Sequence, residues 1–148
     1  MVYSRDPWRD RFHSPTATEL RATLDADSTE SFDRVRRDLM KIDGITETTA
    51  WYGDGWYWTI EYRLPRRQDP LVVVIPSPED LQLGMLVDPE FVAELPYRRL
   101  RRGIRDGLEL ACDPYDTRWA IWSMAGGSSL LEDLRDLVKR RRQFLLSQ

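Results

Sequence analysis

A single cysteine, Cys112, and a single histidine, His13, set the first limits on this chain. One thiol allows no internal disulfide and fits a reducing compartment, so a cytoplasmic protein is expected. One imidazole gives no histidine pair for zinc, and Cys112 has no second thiol to join it. A Cys112–His13 nucleophilic pair would require the N-terminal stretch to fold back across the domain. The simpler reading of Cys112 is a small buried apolar residue at the end of a helix. Long hydrophobic runs are missing too. The longest, residues 71–75, is far short of the roughly 18 residues of a membrane span. The N-terminus is charged and has no apolar core, so a secretory signal is not expected. Gly-x-Ser-x-Gly does not occur, which removes the hydrolase elbow. Gly126-Gly127-Ser128-Ser129 lacks the lysine and the spacing of a P-loop. Its backbone N–H groups would still suit an anion, although such glycines also serve simply to reverse the chain. No cofactor is expected.

Charge of one sign is lacking as well. The formal net charge of −3 argues against a dedicated nucleic-acid binder. Two local clusters run the other way: arginines 98, 99, 101, 102 and 105, and the run Lys139-Arg140-Arg141-Arg142. Both suit phosphates, and basic patches beside aromatic strands suit single-stranded nucleic acid. The bland reading is a charged outer helix face and a C-terminal complement to a helix dipole.

What the chain has in abundance is aromatic surface. Residues 51–64 hold three of the six tryptophans and three of the six tyrosines. Gly53-Asp54-Gly55 supplies a turn between two aromatic runs. From Trp56 onward residue types alternate, which predicts a β-hairpin with a two-faced second arm. Trp56, Trp58, Ile60, Tyr62 and Leu64 fall on one side, a core wall. Tyr57, Thr59, Glu61 and Arg63 fall on the other.

The 148 residues suit one domain, able to bury roughly 68–70% of its unfolded surface. Residues 1–13 are expected as a flexible arm unless Tyr3, Trp8 or Phe12 docks it, and 14–148 as the domain. Ser14-Pro15 predicts a helix start, with Leu20 and Leu24 facing inward over about 15–24. Asp27 and Glu30 have the form of a capping pair for a second helix, striped by Phe32, Val35, Leu39 and Ile42 and stopped by Gly44. Strands are predicted at 46–52, in the second hairpin arm, at 71–75 and at 81–87, and short connections make them an antiparallel meander. Asp88-Pro89 opens a short helix and Pro96 separates it from another at about 97–111, in which Gly103 and Gly107 need close packing as compensation. A strand at 118–124 sets Trp119 and Ile121 against Ala120 and Trp122. Ser129 and Glu132 then cap a last helix, whose stripe is Leu130, Leu134, Leu137, Val138, Phe144 and Leu145. The fold class expected is a single α+β domain, with a mainly antiparallel sheet of four or five strands packed on one face by helices from both termini.

That order, with Ser-Pro-Thr-x-x-Glu-Leu at 14–20, Tyr-Gly-x-Gly-Trp at 52–56 and a tryptophan-bearing strand before a capped helix, resembles the small bacterial YdhG-like proteins and a related family without assigned activity. The resemblance spans about residues 14–146. It implies an α+β fold and, from the label carried by the YdhG-like group, a frataxin-like iron chaperone. Such a role needs a ridge of carboxylates. The nearest approach is Asp25, Asp27, Glu30, Asp33 and Asp38, interrupted by arginines 34, 36 and 37.

The function expected is non-catalytic binding of a small ligand or protein partner, by a monomer or homodimer and without a membrane. The aromatic and polar sheet face around Tyr57, Glu61, Arg63, Trp122 and Asp54 would carry it. The alternatives are a small enzyme with Glu61 or Asp54 as general base, and a single-stranded nucleic-acid binder.

Overall fold

The computed structural model describes residues 6–53, 55–111 and 119–148. Five strands form one antiparallel sheet in the order β1-β2-β3-β4-β5. They are β1 (Thr46–Trp51), β2 (Trp58–Arg63), β3 (Val72–Pro76), β4 (Leu81–Leu86) and β5 (Trp119–Ser123). The helices are α1 (Ala17–Arg21), α2 (Ala26–Met40), α3 (Pro89–Glu94), α4 (Arg102–Glu109) and α5 (Ser128–Leu146). The α+β class, the meander and the terminal helices are as the sequence predicts. No helix among the described residues is long and apolar enough to cross a membrane.

Several boundaries move for identifiable reasons. α1 starts after Ser14-Pro15 because Thr16 and Glu19 form a full capping box. α2 is capped by Asp25, whose carboxylate accepts from the Ser28 amide at 2.7 Å, so Asp27 and Glu30 lie inside the helix. Past its end, Gly44 has φ 74° and lies against Pro65, where an added Cβ would be 2.5 Å from Cγ. Glycine is required there twice over. The helix expected at 97–111 is interrupted: Tyr97–Arg99 is a 3-10 turn, and extended backbone at Leu100 and Arg101 separates it from α4. α5 begins one residue before the expected Ser129 cap, with Gly127 at φ 93° as N-cap. Its buried stripe is Leu131, Leu134, Leu137, Val138, Arg141 and Phe144.

The sheet register assigns the faces. On one face Ile60 lies beside Val74, Val74 beside Leu83, and Leu83 beside Trp122. This face carries the helices: α2 and α5 close over Leu83, while Trp122 donates from Nε1 to the Ile104 carbonyl of α4. On the far face Glu61 lies beside Val73, Val73 beside Gly84, and Gly84 beside Ile121. Trp119 and Ile121 therefore oppose Ala120 and Trp122, as the alternation predicts.

The N-terminal stretch is tied down from Asp6 onward. Trp8 is buried and donates from Nε1 to the Trp56 carbonyl at 2.9 Å. Its own carbonyl accepts from the Trp58 amide, and the Trp58 indole donates to the Asp10 carbonyl at 2.7 Å. Trp8 thus does the docking, while Phe12 remains 88% exposed. Tyr3 lies outside the described residues.

Gly107 answers the question its poor helix propensity raises. A Cβ built there would collide with Nε1 of Trp122, a side chain already fixed by its bond to Ile104. Glycine lets α4 approach the sheet. Gly107→Ala should therefore destabilise the fold by about 1–3 kcal/mol through overpacking, despite the roughly 1 kcal/mol that alanine offers in a helix. A denaturant midpoint at or above that of the parent protein would refute this account.

Candidate functional site

The turn between β1 and β2 decides which aromatics reach which face. Gly53 and Gly55 adopt φ 68° and 89°, and Tyr57 itself sits at φ 50°. A side-chain-bearing residue in the left-handed region is uncommon, and it resets the alternation one residue before β2 begins. Trp56 and Tyr57 consequently exchange the sides that strict alternation predicts. Tyr57 packs edge-on against Trp8 at 4.8 Å and near Trp51 at 5.8 Å, with the Arg9 guanidinium over its ring. Trp56 swings to the far face, stacks on Tyr52 at 5.6 Å and 19°, and meets Trp119 edge-on at 5.2 Å.

Glu61 and Arg63 are brought together on the far face as expected. The Arg63 guanidinium donates to both Glu61 oxygens at 3.0 Å and also to the Gln68 carbonyl. Glu61 is buried, with a side chain 10% exposed, while that of Arg63 is 31% exposed. The third member is Tyr52, whose hydroxyl donates to Glu61 Oε2 at 2.6 Å. Sequence reasoning offered Tyr57 for that place. Alternation carried forward along β1 from Thr46 through Thr48 and Ala50 points to Tyr52, because Thr48 lies opposite Glu61. Trp122 is on the helix-covered face, locked against α4, and joins neither Glu61 nor Arg63. Asp54 lies outside the described residues. Of the five residues expected to gather, two meet.

The other face holds a twin of this arrangement. Glu47 accepts a two-pronged contact from Arg36 of α2 at 2.8 and 2.9 Å and a 2.7 Å bond from the Tyr62 hydroxyl. Burial, and then the carboxylate it serves, pushes the Tyr62 phenol well above its ordinary value; Tyr52 is raised in the same way by burial and by Glu61. Both networks keep a partly exposed guanidinium, Arg36 at 35% and Arg63 at 31%. The Glu61 network differs in standing beside the Tyr52–Trp56 stack, since Tyr52 bonds Glu61.

Other candidates resolve plainly. His13 pairs with Asp10 at 3.1 Å on the surface. Cys112 and the loop at 113–116 lie outside the described residues. The carboxylates offered for iron do not form a ligand set: Asp25 caps α2, Asp33 is bound by both prongs of Arg21 at 2.6 and 2.7 Å, and among the described residues no group of three or more metal-ligating side chains is arranged to hold a metal ion. The arginines at 98–105 lie on or beside the 3-10 turn and α4, with Arg101 facing Asp133 and Arg102 facing Asp106. Arg141, offered by sequence to phosphate, is buried: it bonds Asp88 at 2.9 Å and lies over the rings of Phe91 and Phe144. The basic helices thus belong to the layer opposite the Tyr52–Trp56–Trp119 rings. The two halves of a stack-and-phosphate surface are separated by the sheet.

The raised tyrosines link stability to alkaline pH. A phenol whose folded value lies above its unfolded value near 10 contributes fully below pH 10, and that contribution is lost as pH rises through the folded value. Fully buried Tyr62 alone should cost the fold about 1.4 kcal/mol per pH unit above 10. Tyr62→Phe should flatten that slope, as urea unfolding at pH 8, 10 and 11 would show; an unchanged slope would count against the assignment.

No family model matches this chain, and no curated protein or solved structure is similar to it at a level that identifies a relative.

Proposed function

We propose that this chain is a non-catalytic binding protein that recognises a small ligand, or a partner's side chain, through the far face of its sheet. The observation that carries the reading is the partly exposed Tyr52–Trp56 stack beside the surface guanidinium of Arg63. Stacked rings offer an apolar, planar platform. A guanidinium held in place by a carboxylate is pre-oriented for an anionic or carbonyl group, so little is lost in ordering it on binding. Thr46 and Thr48, exposed on β1 beside Arg63 and Glu61, would extend the polar side of the surface.

The same geometry weighs against Glu61 as a general base. A base must present a lone pair to a substrate proton. Glu61 is buried and already engaged by Tyr52 and by both contacts from Arg63. It serves to hold Arg63.

Arg63→Gln separates a binding role from a structural one. The variant should keep its unfolding midpoint to within about 0.5 kcal/mol, as a partly exposed surface change does. It should weaken the amide shifts that benzoate, an aromatic anion, produces around Tyr52, Trp56 and Arg63 by roughly tenfold, the effect of losing one charge-assisted contact. Destabilisation of about 2 kcal/mol or more, or benzoate shifts that do not change, would show that the Glu61–Arg63 pair is structural.

A further inference from the structure

On the helical layer two recesses share a wall. Between α2 and α5, above Leu83 of the sheet, lies a slot of about 70 Å³ bounded by Val35, Leu39, Leu131, Leu134 and Val138. Asp38, Ile42, Arg135 and Lys139 line this slot and also a wider cleft of about 600 Å³ beside it. The wider cleft adds Lys41, Asp43, Arg142 and Gln143. One continuous recess therefore has an apolar floor and a charged mouth, and the cleft is within the size range of ligand sites, roughly 300–1,000 Å³.

The charges at the mouth are unbalanced. Several arginines of the layer are matched, Arg21 with Asp33, Arg34 with Glu132, Arg36 with Glu47, Arg101 with Asp133 and Arg141 with Asp88. Among the described residues Lys41, Arg135, Lys139 and Arg142 form no such pair, although Asp38 and Asp43 line the same cleft. Four cations face two carboxylates, an excess of two positive charges. Nε of Arg142 is buried and has no acceptor, and the same holds for Arg105 and Arg141 elsewhere on the layer; of the three only Arg142 lines the cleft. Buried donors without partners are rare, and each calls for an explanation. Compensation of helix dipoles accounts for Lys41, the residue just past α2. It does not account for Arg135 and Lys139, which lie well inside α5, because the dipole is felt only in the last turn.

We propose that this recess binds a small organic anion with a short apolar tail, the tail entering the slot and a carboxylate or phosphate head meeting Arg135, Lys139 and Arg142. Each part has a reason. Exposed cations alone hold an anion weakly and lose it to salt. An apolar slot alone has no means of orienting its guest. Together they select molecules that carry both features. The site is separate from the far-face surface and does not rest on it, since the sheet lies between them.

The test uses the full-length ¹⁵N-labelled protein and three probes: hexanoate, hexan-1-ol and inorganic phosphate. Hexanoate should shift amide signals in residues 35–43 and 134–143 saturably, and the alcohol and the phosphate should each bind at least tenfold more weakly there. Arg135 and Lys139 are exposed, so Arg135→Gln with Lys139→Gln should leave the unfolding midpoint unchanged while weakening hexanoate at least tenfold. Val35→Ile, which adds one methyl group to the slot wall, should weaken hexanoate and leave phosphate binding as it was. Four results would overturn the proposal: phosphate binding as tightly as hexanoate, hexan-1-ol binding as tightly, shifts centred on Tyr52 and Trp56, or no saturable shift. The third would leave the far-face reading standing while removing this one.

Discussion

A sheet whose helices lie on one side must still keep its other side dry, and that constraint shapes this molecule. Thr59, Val73 and Ile75 belong to the far face, yet each is buried. Part of the cover comes from Tyr52 and Trp56 at the turn of the first hairpin, which meet Trp119 of β5 at 6.2 and 5.2 Å. β1 and β5 are four strand spacings apart, about 19 Å in a flat sheet. Those rings touch because a twisted sheet is a saddle in which diagonally opposite corners rise on the same face. Gly84 lies beneath the bridge, where an added Cβ would be 3.0 Å from Val73 and 3.5 Å from Trp119. Tyr52, Trp56 and Trp119 are thus accounted for by closure of the sheet on itself, and Trp8, Trp51, Tyr57 and Trp58 by the docking of the N-terminal stretch.

The two Tyr–Glu–Arg networks follow from the same geometry. Glu47 on β1 and Glu61 on β2 point to opposite faces, each bonded to a tyrosine and an arginine. Each carboxylate is largely buried beneath an arginine that is about a third exposed, so the intact pair contributes little, whereas a carboxylate buried without either its tyrosine or its arginine would be costly. A slip of one residue in the β1–β2 register would turn Glu47 away from Arg36 and send every apolar side chain of one strand to the wrong face. The networks therefore act chiefly as a penalty on wrong pairings. That explains why charged groups are tolerated in strands otherwise filled with β-branched and aromatic residues.

How much of this was legible in the sequence depends on which interactions are local. Strand positions, the opposed faces of Trp119 and Trp122, and the stripe of Phe32, Val35 and Leu39 all follow from periodicity, and the structure has them. The exchange of Trp56 and Tyr57 does not follow, because it turns on one backbone angle at Tyr57 that no pattern of side chains encodes. Docking of Trp8 joins residues 48 apart in the chain, so local patterning is silent about it. Arginine is usually at the surface, so nothing in the local sequence marks Arg141 for burial. Its burial depends on Asp88 and on two phenylalanine rings supplied by α3 and by α5 itself. The candidate site fared worse than the fold for the same reason. Glu61 and Arg63 share one strand and were placed correctly, while Tyr57 and Trp122 depended on a turn angle and on a helix approaching over Gly107.

Charge on the helical layer is divided between two poles. α2 and α5 run in the same direction: Asp25 and Ser28 share a recess with Gly127 and Ser128 at one end, and Ile42 shares one with Arg142 at the other. Parallel neighbouring helices place like dipole ends side by side, which is unfavourable unless charges offset it. The N-terminal end has them in Asp25, Asp27, Glu30, Glu79 and Asp80, around a recess of about 460 Å³. Asp25, which caps α2, and Asp27 in its first turn answer the α2 dipole, while Glu79 and Asp80 lie on the connection between β3 and β4. At the opposite end the requirement is smaller than the supply. α5 runs on past α2 to Leu146, so its own C-terminal carbonyls are remote from the cations at Arg135 and Lys139. Helix electrostatics thus explains part of the charge at each pole, and at the basic pole the remainder lines an apolar slot.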